Sequence, residues 1–148
     1  MGLTEQRFLF VDTWGWLVLA DRAHPLHRKV IEIRKRDSDR GVQWMTSDFI
    51  LDEMITRLFQ RTPFPKARVF CAGILGAGKD TSLRIERIDE RRFEQAYELR
   101  LRFRDKPTIS FTDFTSAVVM KECGVRHVLT GDTHFRQFGF GFALVPED

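Results

Sequence analysis

Residues 7–12 run Arg7-Phe8-Leu9-Phe10-Val11-Asp12: one basic residue, four consecutive apolar residues, then a carboxylate. A short unbroken apolar run between polar ends fits a strand buried on both faces, and such strands belong to parallel sheets covered by helices. The same design recurs downstream. Residues 42–45, 125–129 and 142–145 are further short strand candidates, and residues 82–88 alternate polar and apolar as an edge strand does. Helical patterns separate them, so the order of elements predicts an α/β fold with a central, mainly parallel sheet.

The helices follow from spacing and punctuation. Residues 14–20 form a short apolar helix after Asp12. Pro25 suits the first position of a second helix, continued by Val30, Ile31 and Ile33 toward Arg36. Ser47 suits the cap of a third, with Ile50, Leu51, Met54, Ile55 and Leu58 as its apolar face. Pro63 and Pro65 end that helix and start a fourth, running toward Leu75 and stopped by the glycines after it. Residues 91–103 form a charged amphipathic helix with Phe93, Ala96, Tyr97 and Leu101 as its inner stripe. Residues 111–123 form the next, stopped by Gly124.

The 148 residues suit a single domain, 1–148, able to bury roughly 68–70% of its unfolded surface. Fourteen Phe and three Trp argue against disorder. No apolar run approaches the ~18 residues of a membrane span, and the opening residues lack the pattern of a signal peptide or, with Gln6 where Ser or Thr belongs, of a myristoylation site. Cys71 and Cys123 are too few for a disulfide framework and suit a reduced, cytoplasmic protein without membrane attachment.

Four acids occupy suspicious places. Asp12 ends the first strand, Asp132 closely follows the strand at 125–129, Asp113 sits in the first turn of the late helix, and Glu53 lies among apolar residues of the third helix. Ligands of open parallel α/β sheets bind at the carboxyl ends of the strands, where the following helices begin. Each acid alone has a plain explanation: Asp12 and Asp132 as caps, Ser110-x-x-Asp113 as a capping box, Glu53 as a helix-margin residue reaching water. Four carboxylates converging would repel one another unless a cation neutralised them, and oxygen ligands suit Mg²⁺ or Mn²⁺. Such a site lowers the pKa of bound water and stabilises charge developing on a phosphate.

The chain resembles a PIN domain, most closely the VapC-type toxin ribonucleases of bacterial and archaeal toxin–antitoxin pairs. The matching segments are Phe10-Val11-Asp12-Thr13, Thr46-Ser47-Asp48-Phe49-Ile50-Leu51-Asp52-Glu53, Ser110-Phe111-Thr112-Asp113 and Thr130-Gly131-Asp132-Thr133-His134-Phe135, in order across nearly the whole chain. The resemblance implies a three-layer α/β/α fold and an endoribonuclease dependent on Mg²⁺ or Mn²⁺, leaving 5′-phosphate and 3′-hydroxyl ends on single-stranded RNA. Asp12, Glu53, Asp113 and Asp132 then stand as catalytic acids and metal ligands, supported by Thr112 and Thr130. It also implies a small antitoxin partner and self-association as a homodimer. Trp14 and Phe114 depart from the family's small residues and are expected to reshape the substrate groove.

Net charge is +3, and the stretch from Arg22 to Arg40 holds seven basic residues against three acids. Arg22, Arg28 and Arg36 are the candidates for holding RNA. The competing reading is a non-catalytic RNA-binding or regulatory module of the same fold. A receiver-like phosphoacceptor is disfavoured, because residues 125–132 contain no Lys. Gly73-Ile74-Leu75-Gly76-Ala77-Gly78-Lys79 matches the start of a nucleotide-binding loop, but Asp80 replaces the required Ser or Thr and the segment follows a helix rather than a strand. His24 and His27 have no further Cys or His nearby for zinc, and His134 is expected at an exposed helix position. Of the early tryptophans, Trp14 is a candidate for stacking on a base and Trp16 suits the core.

Overall fold

The computed structural model describes residues 6–147; the opening residues, on which the leader and myristoylation readings rest, lie outside them. Among the described residues five strands form one sheet: β1 (Phe8–Val11), β2 (Gln43–Ser47), β3 (Leu83–Glu86), β4 (His127–Leu129) and β5 (Ala143–Val145). Their order is β3-β2-β1-β4-β5 and every pairing is parallel. The expected edge strand is β3. Leu9, Phe10 and Val11 are fully buried, as a strand covered on both faces requires.

Among the described residues seven helices accompany the sheet: α1 (Thr13–Ala20), α2 (His27–Arg40), α3 (Asp48–Arg61), α4 (Phe64–Lys79), α5 (Glu90–Arg102), α6 (Phe111–Cys123) and the short α7 (His134–Gln137). Ser47 caps α3, its hydroxyl accepting from the Ile50 N–H at 3.2 Å. Gly124 ends α6 at φ 68°, a left-handed conformation that glycine adopts without strain. Helix α6 buries every residue from Asp113 to Met120 and packs chiefly against α5. Trp16 is core, as expected, and its indole N–H donates to Thr46 Oγ1 at 3.2 Å.

Three local expectations fail. Pro25 precedes α2 in a turn, because the helix begins only at His27. Gly73, Gly76 and Gly78 do not stop α4; the helix runs through them to Lys79 and ends at Asp80, followed by Thr81 at φ 66°. On α5 the buried residues are Ala96 and Leu99, whereas Phe93, Tyr97 and Leu101 are about half exposed. Spacings of three and four both make a helical stripe, and contact with α6 selects the narrower one.

Among the described residues, no helix is long and apolar enough to cross a membrane. Both cysteines are free thiols.

Candidate active site

The strand order reverses at β1: β2 and β3 lie on one side of it, β4 and β5 on the other. That switch point opens a crevice at the carboxyl edge, where ligands of such sheets bind. Asp12 follows β1 directly, and its N–H donates to Leu129 O at 3.1 Å across the opening. By position it is the N-cap of α1, but its side chain makes no capping bond. Instead, Asp12 Oδ2 accepts from Thr130 Oγ1 at 2.7 Å. Asp12 is 6% exposed. Burial pushes its carboxyl up to about 6, against the pull of the Thr130 hydroxyl and the Thr13 backbone, with Asp132 and Glu53 adding repulsion.

Asp113 enters from the first turn of α6. Half of the expected capping box is present: Ser110 Oγ accepts from the Asp113 N–H at 3.1 Å. The Asp113 carboxylate turns to His134, with Oδ2 3.3 Å from Nδ1. Burial, then the charges of Asp12 and Asp132, raise this carboxyl to about 7; His134 opposes them.

Asp132 sits on the loop after β4. Its N–H donates to Thr130 Oγ1 at 2.9 Å, and its Oδ1 accepts from the His134 N–H at 2.9 Å. Thr130 therefore serves two acids with one hydroxyl. Gly131 is needed between them, since a Cβ there would meet the Trp14 indole nitrogen at 2.7 Å. Glu53 reaches across from α3 and accepts from Thr13 Oγ1 at 2.9 Å and from Arg57 at 3.4 Å. The bond described for Thr112 runs through its carbonyl, which accepts from Thr115 Oγ1 at 2.6 Å.

Asp12, Glu53, Asp113 and Asp132 line one cleft of about 1520 Å³. That exceeds the ~300–1,000 Å³ typical of small-molecule pockets and leaves room for a polymer. Arg22 lines the cleft as well, together with Arg57, Arg61 and Lys66, which the sequence reading missed. Glu53, Arg57 and Arg61 are spaced by four along α3, a signal that one helix face carries the acid and both cations. Arg28 is exposed in the first turn of α2 and is not among the lining residues. Arg36 lies nine residues into α2, about 13 Å further along the axis, and pairs with the buried Asp37 at 3.1 Å.

His134 also departs from expectation. Its side chain is only 25% exposed, and Nδ1 lies 3.0 Å from Asp132 Oδ1. Fully buried Phe135 anchors α7 in a cluster of aromatic rings and so fixes the residue before it. Phe114 does not reshape the cleft: it is fully buried, against Phe103, Phe138 and the Arg100 guanidinium. Trp14 does line the cleft, edge-on to His24.

The donors suit a divalent cation. Asp12 and Asp113 are buried carboxylates whose pKa values are raised first by burial and then by the neighbouring acids, and oxygen donors of this kind suit a hard divalent ion. Asp113, Asp132 and His134 each bring one donor atom within 4.8 Å of the other two.

A family model described as "PIN domain" matches residues 9–141. The chain belongs to the PIN domain family. This PIN domain is 30% identical over 132 residues to the 23S rRNA-specific endonuclease VapC20 of Mycobacterium tuberculosis, covering 89% of this chain and 95% of that one, in both strain CDC 1551 / Oshkosh and strain ATCC 25618 / H37Rv. The crystal structure of M. tuberculosis VapC20, described as a sarcin-ricin loop cleaving toxin, superposes with a TM-score of 0.75 at 29% identity, covering 89% and 95%. VapBC2 from Rickettsia felis, bound to a DNA fragment from its promoter, shares the fold with a TM-score of 0.67 at 13% identity, covering 93% and 96%.

Proposed function

We propose that this PIN domain is a divalent-cation-dependent endoribonuclease acting on single-stranded RNA, and the toxin of a toxin–antitoxin pair. The observation that carries the proposal is the convergence of Asp12 and Asp113, both buried, with Asp132 and Glu53 on one cleft at the switch point. Similarity to VapC20 supports a looped segment of ribosomal RNA as the substrate class.

Asp12, Asp113 and Asp132 are the residues to hold Mg²⁺ or Mn²⁺, with Glu53 joining directly or through water. When bound, the cation supplies charge neutralisation at the scissile phosphate and a lowered pKa for water. The protein's own part is positioning. Thr130 orients Asp12 and the Asp132 backbone, and Thr13 holds Glu53. Arg22, Arg57, Arg61 and Lys66 give the cleft walls a positive charge that attracts the RNA backbone. Trp14 offers an aromatic surface at the cleft.

The proposal includes an antitoxin partner, a homodimeric state and a cytoplasmic location, on the family resemblance. Phe64 and Val69 on α4 are 68% and 72% exposed, and Val69 borders the cleft, which supports a protein partner covering that wall.

The test is cleavage of a looped RNA oligonucleotide by protein stripped with EDTA. Activity restored by Mg²⁺ or Mn²⁺, with 5′-phosphate and 3′-hydroxyl ends, supports the proposal. Undiminished cleavage in excess EDTA rejects the cation. RNA left intact but bound in Mn²⁺ favours the non-catalytic module.

A further inference from the structure

We propose that His134 is itself a cation ligand of this site, through Nδ1, and that it tilts the site toward Mn²⁺ over Mg²⁺. The inference rests on the divalent-cation reading above and adds to it a nitrogen donor beside the carboxylates.

The ring nitrogen stands at ligand spacing from two carboxylates. Nδ1 stands 3.0 Å from Asp132 Oδ1 and 3.3 Å from Asp113 Oδ2. Two neighbouring ligands of an octahedral ion with bonds of 2.0–2.1 Å lie about 3 Å apart, so both spacings match adjacent ligand positions. A shared proton gives similar spacings. What favours the cation is the number of carboxylates beside the ring: Asp12 and Glu53 line the same cleft as Asp113 and Asp132, more acids than one imidazole proton can serve.

The ring is held in place by independent restraints. The His134 N–H is bonded to Asp132 Oδ1, and Phe135 roots α7 in the core. The other two histidines that line the cleft differ. His24 Nδ1 accepts from the Leu26 N–H at 3.0 Å, and His27 Nδ1 lies 2.9 Å from Val18 O. Both are spoken for by the backbone.

The chemical consequence follows from ligand type. Carboxylate and water oxygens suit Mg²⁺ and Mn²⁺ alike, whereas imidazole suits transition metals and gains little from Mg²⁺. A face of two carboxylates and one imidazole therefore discriminates between ions that an all-acid site would bind similarly. Selectivity resides in one residue at the start of a four-residue helix.

The experiment reads the bound ion, not RNA cleavage. Mn²⁺ is added to the chelator-stripped full chain, and its electron spin-echo signal is examined for modulation by a directly bound nitrogen. Competition with Mg²⁺ gives the affinity ratio. Wild type is expected to show nitrogen modulation; H134A is expected to lose it, and its preference for Mn²⁺ to fall roughly tenfold or more. H24A, the control, is expected to keep both. H134N places an amide near the ring-nitrogen position and decides the matter if H134A does not fold; it should bind both ions without the modulation. Mn²⁺ bound to wild type with no nitrogen modulation, or modulation that survives in H134N, overturns the inference and leaves the cation-dependent nuclease standing. Failure of wild type to bind Mn²⁺ at all overturns both.

Discussion

Asp12 and Thr130, 118 residues apart in sequence, share a 2.7 Å hydrogen bond across the β1–β4 seam, and the same Thr130 hydroxyl accepts the Asp132 N–H at 2.9 Å. The side chain closing the first strand and the loop leaving the fourth are thus tied at one atom. T130V removes both bonds and leaves a buried carboxylate and an amide unsatisfied. The expected cost is about 1–3 kcal/mol, a fall of roughly 2–10 °C in thermal midpoint for a chain this size, with cleavage reduced as Asp12 loses its orientation. T130S keeps the hydroxyl and should restore most of both. Calorimetry and an RNA cleavage assay on the two variants check this.

Metal-free stability should depend on pH in an unusual direction. Asp12 is raised to about 6 and Asp113 to about 7, from an ordinary 3.8. The folded state therefore holds protons that the unfolded chain releases near pH 4. The contribution of these groups is complete below that pH, declines as pH rises from about 4 toward the folded-state values of about 6 and 7, and is gone above them. In EDTA, the thermal midpoint should fall across that window; an added divalent cation should flatten the fall. Midpoints measured every half pH unit, with and without Mn²⁺, provide the comparison.

Much of this was legible in the sequence. The apolar run ending at Asp12 and the short strand pattern before Asp132 locate the sheet and its carboxyl edge. What was lost depends on tertiary choice. Helix α5 offers two apolar stripes, and packing against α6 buries Ala96 and Leu99, while Phe93, set against Phe111, and Tyr97 stay about half exposed. His134 looks like a surface residue until the folding of α7 against α6 brings its ring to Asp113, an approach over 21 residues that no local pattern encodes. Arg57 and Arg61, by contrast, were available from the four-residue spacing that starts at Glu53.

The glycines of α4 give a test of that helix and of the rejected nucleotide loop. No atom lies within 4 Å of a Cβ added at Gly73 or Gly76, whereas one at Gly78 meets Ile85. G73A and G76A should each stabilise by about 0.5–1 kcal/mol, and G78A should gain less or lose, as Ile85 must move. Urea unfolding ranks the three. ATP and GTP should not bind, and K79A should change nothing in calorimetric titration with either.

Neutralising the cleft wall should weaken RNA binding without disturbing the fold. In R61Q and K66Q, the change in stability is expected within about 0.5 kcal/mol, as for most surface positions. KM should rise more than kcat falls, and the dependence of binding on salt should become shallower, because each residue removed is one phosphate contact fewer. Steady-state kinetics at two salt concentrations separate this from a loss of catalytic geometry.

The most direct test of the central claim is D113N, assayed for RNA cleavage with Mn²⁺ and for thermal stability in EDTA. As a mere helix residue, Asp113 could be replaced by Asn at a cost no greater than the ~0.5–2 kcal/mol of losing a cap. As a carboxylate of the cation site, its charge is indispensable; a thousandfold loss of rate corresponds to about 4 kcal/mol of transition-state stabilisation. Its removal also relieves the repulsion from Asp12 and Asp132. The account predicts that D113N loses cleavage by about a thousandfold or more while its thermal midpoint in EDTA at pH 7.5 stays level or rises. A variant that cleaves as wild type does, or that loses cleavage only because it unfolds, would contradict it.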